Sequence, residues 1–180
     1  MAEPAFVLIH GAWHGGWCWR RVSPLLRQSG YSVYAPTLTG LGDRVHLLGP
    51  DVDLTTHVND VLNLLRYEEI DRAILVGHSY AGMVISEVAE QAESRIDQLV
   101  YLDAFLPDHD RSIRDYGPAA QLDQIAAEQG DGWRIPTYMS ARDFGISDEA
   151  DIAWVDRLLG DQPYGTFQQA VDLSTDAQSR

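Results

Sequence analysis

Ser79 stands in the stretch Gly77-His78-Ser79-Tyr80-Ala81-Gly82, between the apolar runs Ala73–Val76 and Met83–Ile85. A serine at such a corner between a strand and a helix can be held on a strained turn as a nucleophile. That turn demands small residues two before and two after the serine, because larger ones would collide across it. Gly77 and Ala81 meet the demand, although alanine departs from a G-x-S-x-G string at its last position. The corner would lift the hydroxyl above the carboxyl ends of the strands and set it at a helix N-terminus. There the dipole and free N–H groups favour a developing negative charge. The competing reading is a plain helix N-cap serine after a strand-to-helix turn.

Acyl transfer through a serine also needs two backbone N–H groups aimed at the oxyanion. One belongs to the residue after the nucleophile, Tyr80. The other belongs to the loop after an early strand, a loop often opened by His-Gly. His10-Gly11 follows the apolar run Ala5–Ile9, so the Ala12 N–H is the candidate second donor. His10, Gly11, Trp13 and, from the C-terminal part, Trp133 are the candidate pocket residues. His10 and His14 share a spacing that could suit a metal pair, but their loop is glycine-rich and offers no third ligand nearby. No metal and no organic cofactor are expected.

The proton acceptor is harder to find. After Ser79 the only histidine is His109, in "FLPDHD". His10, His14, His46 and His57 precede the serine, and His78 adjoins it with its side chain expected to point away. A serine at neutral pH is a poor nucleophile without an imidazole to take its proton.

The elements that must position these residues alternate. Strands are predicted at Ala5–Ile9, Tyr31–Pro36, Arg72–Val76 and Ile96–Leu102. Helices are predicted from Cys18 to Ser29, over Leu54–Leu65 and over Met83–Ala92. The first is drawn from the stripe Cys18, Val22, Leu25, Leu26 and Ser29, capped by Gly30. This alternation predicts an α/β fold with a parallel, doubly wound sheet. Residues 1–105 form its core. Residues 106–180 hold helical patches near Ala119–Gln129 and Ala150–Leu159, scattered aromatics and no clear strand, and read as a helical cap.

Composition bounds the partners. The 180 residues carry 13 Lys+Arg against 27 Asp+Glu, a net charge of −14. Such a surface repels phosphates and anionic headgroups, so neither nucleic acid nor membrane is expected as a partner. One cysteine, Cys18, permits no intrachain disulfide and no cysteine cluster. The N-terminal stretch lacks a basic n-region, and a cytoplasmic location is expected.

Taken together, "VLIHGAWHGGWCW", "GHSYAG" and "LVYLDAFLPD" resemble the α/β-hydrolase superfamily. The similarity is to its small bacterial esterases akin to plant methylesterases and hydroxynitrile lyases. It runs from about Phe6 to Asp108, with weaker echoes up to "DQPYGTF". The resemblance implies a nucleophile at Ser79, an oxyanion hole from Ala12 and Tyr80, and a helical cap over the site. It places Asp103, after the fourth strand, where some relatives carry the catalytic acid. It implies hydrolysis of small carboxylic esters through an acyl-enzyme. The alternatives are cyanohydrin cleavage on the same fold and a non-catalytic ligand-binding protein. The lyases of the group carry a threonine hydroxyl where this chain has Gly11, which favours the esterase reading. The superfamily fold also continues through two more strands and a final helix that carry the acid and the histidine. The sequence therefore leads to three expectations: a chain cut short of these elements, inactive for want of the base, and able to self-associate through the exposed edge of Ile96–Leu102.

Overall fold

The computed structural model describes residues 3–173. Its centre is a parallel sheet of four strands in the order β2-β1-β3-β4: β1 (Ala5–Ile9), β2 (Val33–Tyr34), β3 (Ala73–His78) and β4 (Ile96–Leu102). β1 runs in register with β3, Leu8 beside Val76 and Ile9 beside Gly77, and β3 carries β4 with Val76 beside Val100.

The central strands are apolar on both faces because both faces are covered. Val7 and Ile9 point into a cluster with Val58, Val61 and Leu65 of α2 (Leu54–Tyr67) and Val84, Ile85 and Val88 of α3 (Ala81–Gln91). Leu8 faces the other way, into a smaller cluster with Trp19, Val33 and Val76. Each such side chain contributes about 1.5–3 kcal/mol by leaving water.

α2 begins where the sequence supplies a capping box. The Asp53 carboxylate accepts the Thr56 N–H at 2.8 Å, and the Thr56 hydroxyl accepts the Asp53 N–H at 3.4 Å. These bonds satisfy donors that the first turn otherwise leaves orphaned. The buried stripe of α2 is Leu54, Val58, Val61 and Leu65, with His57 inside it.

Two expectations need correction. The first helix, α1, covers Val22–Gln28, and Gly16–Trp19 form a separate 3-10 turn. A continuous helix from Cys18 would put Pro24 in its interior, where the missing N–H and the ring break the ladder. Val22 and Leu25 of the expected apolar stripe are exposed, Leu25 by 62%. The C-terminal part, expected to hold no strand, contains a two-stranded antiparallel ribbon: β5 (Arg134–Ile135) and β6 (Gln162–Pro163). Strands of two residues leave no periodicity to read. Around this ribbon lie α4 (Ile113–Tyr116), α5 (Ala119–Gln129), α6 (Glu149–Asp156) and α7 (Gly165–Gln168). Among the described residues, no helix is long and apolar enough to cross a membrane.

Candidate active site

Ser79 occupies the two-residue gap between β3 and α3 with φ at +53°, in the left-handed region that side chains other than glycine rarely adopt. Its backbone is held on every side. Its N–H donates to Leu102 O at 3.4 Å, and its C=O accepts from Gly82 N and Phe105 N, both at 3.1 Å. The end of β4 therefore braces the bend. The glycines around it are sterically required. A Cβ on Gly77 would lie 2.9 Å from Ala81 O and from Ile85 Cδ1, and one on Gly82 would lie 1.8 Å from Phe105 O. Ser79 itself is half-buried.

The loop after β1 passes close beside this bend. A Cβ on Gly11 would lie 3.2 Å from Ser79 Cβ and 3.0 Å from His78 Nδ1. Ala12 and Tyr80 are 5% and 1% exposed, and among the described residues no acceptor takes either of their N–H groups. Buried amides are seldom left unpaired. Two of them lie on the two segments that meet at Ser79.

The surrounding histidines hold this backbone. His10 is fully buried: its Nε2 accepts the Leu38 N–H at 3.0 Å, so its Nδ1 carries the proton and donates to Gly11 O at 2.9 Å. Burial brings His10 down to about 3, against a smaller opposing effect of the Gly11 carbonyl. His14 Nδ1 lies 2.7 Å from Ala12 O and donates to it, while its ring stacks on Trp17. Burial lowers the pKa of His14 too. Both carbonyls that flank the Ala12 residue are thus tied back. His10 has both nitrogens engaged by backbone and none left for a ligand.

Tyr80 is anchored from α2. The His57 Nε2–H donates to Thr39 O at 2.9 Å, leaving His57 Nδ1 to accept the Tyr80 hydroxyl at 2.9 Å. Burial holds His57 well below the usual histidine range. Sequence reasoning passed over His57 once it failed as a base, although its place in the apolar stripe of α2 marked it as buried.

The other candidates fall as follows. Trp13 is buried, with φ at +62°; its indole packs edge-on against Tyr138 and Phe167, and Nε1–H donates to Ile135 O at 3.0 Å. Trp133 lies at the start of the ribbon. Its carbonyl accepts the Tyr164 N–H at 2.8 Å, and Arg134 sits over its ring. Asp103 follows β4 with φ at +45°, is exposed, and acts on the neighbouring His78, whose pKa its charge raises while burial lowers it more. His109 Nδ1 accepts the Leu173 N–H at 3.2 Å. Among the described residues, no imidazole hydrogen-bonds the Ser79 hydroxyl. Two clefts, of about 660 Å³ between Trp17, Asp43 and Arg157 and of about 700 Å³ between α3 and β4, lie away from Ser79.

A left-handed serine braced between β3 and α3 is the decisive feature, and the sequence comparison agrees with it: the model of the alpha/beta hydrolase family matches residues 6–178. The chain belongs to the alpha/beta hydrolase family. Among relatives of this alpha/beta hydrolase is the "Carbendazim hydrolyzing esterase" of a Nocardioides species, 41% identical over 179 residues, which cover 94% of this chain and 73% of the relative. "Methylesterase 1" of Arabidopsis thaliana is 33% identical over 133 residues, 68% of this chain and 45% of the relative. The chain thus spans less than half the length of that plant methylesterase. An extracellular alpha/beta-hydrolase from a Paenibacillus species superposes with a TM-score of 0.85 at 25% identity, covering 99% of this chain and 74% of the other.

Proposed function

We propose that Ser79 is the nucleophile of a carboxylic-ester hydrolase that works through an acyl-enzyme. The observation that carries this reading is the pair of unpaired buried amides, Ala12 and Tyr80, on the two segments that meet at the strained serine. The Ser79 oxygen adds to the ester carbonyl while its proton passes to an imidazole. The carbonyl oxygen, now negative, takes the two N–H groups. Collapse breaks the bond to the alcohol, which leaves with the proton the imidazolium returns, and water, giving a proton to the freed imidazole, then hydrolyses the acyl-enzyme to the acid and free Ser79. Loss of one such donor typically costs 10²–10³ in rate.

The named activities of the relatives, an esterase acting on carbendazim and a methylesterase, support a small ester as substrate. Gly11 supports hydrolysis over cyanohydrin cleavage, because a side chain there would press on His78 and Ser79. Asp103 stands as the proposed acid, and Trp13, Trp133 and Gly11 as proposed pocket residues, while His10, fully buried with both nitrogens bonded to backbone, supports the loop from behind. We infer that the 180-residue chain turns over slowly unless an imidazole is supplied, since none meets Ser79 among the described residues. Cys18 is half-buried, and desolvation pushes its thiol up to about 12, so it carries no reactive thiolate. β4 is paired on one side only among the described residues, which supports self-association through its edge.

The test is acylation of the 180-residue chain by 4-nitrophenyl acetate, read by intact mass with and without added imidazole. One acetyl group should appear, faster with imidazole, and map to Ser79; Ser79→Ala should take none. Acetylation elsewhere, or equal acetylation of the alanine variant, would sink the reading.

A further inference from the structure

Trp13 directly follows the proposed oxyanion donor Ala12, and its backbone is strained, with φ at +62°. Strain of this kind persists only where surrounding contacts over-determine it. Three hydrogen bonds do so here. The Trp13 C=O accepts the Gly160 N–H at 3.0 Å, the Trp13 N–H donates to Gln162 Oε1 at 3.0 Å, and the indole N–H donates to Ile135 O at 3.0 Å. All three partners lie on or beside the β5–β6 ribbon, more than a hundred residues along the chain.

Gln162 is fully buried and has no freedom to turn. Its Oε1 faces the Trp13 donor, and its Nε2 donates to the Thr166 hydroxyl at 2.7 Å, which in turn donates to Pro163 O at 2.6 Å. The Ala12–Trp13 peptide plane is therefore gripped at both ends. Its N–H is held by Gln162 and its C=O by the His14 ring at 2.7 Å. The preceding plane has its C=O held by His10 at 2.9 Å, and the N–H on its opposite side is that of Ala12. One buried glutamine of the C-terminal region thus braces the peptide next to the Ala12 amide.

We propose that Gln162 is a positioning residue for the oxyanion hole, and that docking of the β5–β6 ribbon onto Trp13 brings the Ala12 N–H into register with Ser79. The proposal rests on the reading of Ser79 given above. Without the Gln162 oxygen, the Trp13 N–H is buried and unsatisfied, the left-handed turn loses a brace, and the loop relaxes away from the serine. A misplacement of about 1 Å in such a site costs on the order of 100-fold in rate.

The experiment compares the 180-residue chain with Gln162→Met, which keeps the length but removes the acceptor, and Gln162→Glu, which restores an acceptor. Ser79 phosphonylation by a fluorophosphonate is followed by intact mass with imidazole present, over a range of probe concentrations. Thermal unfolding reports the folded fraction. The methionine variant should lose ten- to a hundred-fold in maximal labelling rate, with half-saturation little changed, and the glutamate variant should recover most of that loss. Equal maximal rates in wild type and Gln162→Met would overturn the proposal, as would a loss that merely follows the folded fraction. If wild type takes up no probe, the reading of Ser79 fails, and amide exchange decides the clamp. The Trp13 N–H should exchange at least ten-fold faster in Gln162→Met, with a shifted Ala12 amide resonance; unchanged exchange would overturn the clamp by itself.

Discussion

The Leu38 amide donates to His10 Nε2 at 3.0 Å, and this one contact decides where the imidazole proton resides. It must sit on Nδ1, where it ties down the Gly11 carbonyl. His10 is neutral in the fold, brought to about 3 by burial, whereas in the unfolded chain it titrates near its ordinary value. Between those values the unfolded chain binds the extra proton. The contribution of His10 is therefore complete above about pH 6.5 and shrinks by up to about 1.4 kcal/mol per pH unit below it. Urea unfolding at pH 7.5, 6 and 5 should show this slope, and His10→Gln should flatten it by one proton while lowering stability at pH 7.5. An unchanged slope would show that His10 is charged in the fold.

Ser79 sits at φ +53°, and such a conformation costs a residue with a Cβ about 1–2 kcal/mol that glycine does not incur. Glycine gives back part of this through the freer unfolded chain. Ser79→Gly should therefore be more stable than Ser79→Ala by about 0.5–1 kcal/mol in urea. Greater stability of the alanine variant would mean that the bend is not strained.

Gly82 lies against the segment that leaves β4, with only 1.8 Å between a built Cβ and Phe105 O. That carbonyl belongs to the residue whose N–H braces Ser79 at 3.1 Å, so relief by movement would disturb the bend. Gly82→Ala should lose about 3 kcal/mol or more, or fail to fold. Gly49→Ala, where a Cβ meets nothing within 4 Å, should stay within about 0.5 kcal/mol of wild type. Equal urea midpoints for the two variants would refute the steric account.

The sheet was legible because its signals are local. Apolar runs mark β1 and β3, and Val58, Val61 and Leu65, spaced three and four apart, mark α2. The elbow was legible because small residues and a serine have few other reasons to stand together between a strand and a helix. The supports of the site were not legible. Gln162 meets Trp13 across 149 positions of chain, and no periodicity announces such a pairing. His57 was readable as buried but not as the partner of Tyr80, a contact that exists only once α2 packs on α3. The apolar stripe through Cys18 does not mark the break: the helix starts at Val22, which leaves Pro24 in its first turn.

The edge of β4 carries the last prediction. Only β3 pairs with it among the described residues, and Leu102 at its end and Leu106 just beyond are 47% and 70% exposed. An apolar edge with free main-chain groups is a template for another strand, and lysine on the edge is a common natural defence against that pairing. Self-association should therefore appear in sedimentation velocity as a coefficient that rises with protein concentration. The double variant Leu102→Lys, Leu106→Lys should stay monomeric over the same range and keep its fold, because neither side chain is part of the buried core. A wild-type chain that sediments as a monomer at every concentration would show that the edge is not an interface. Association that survives both lysines would place the contact on another face.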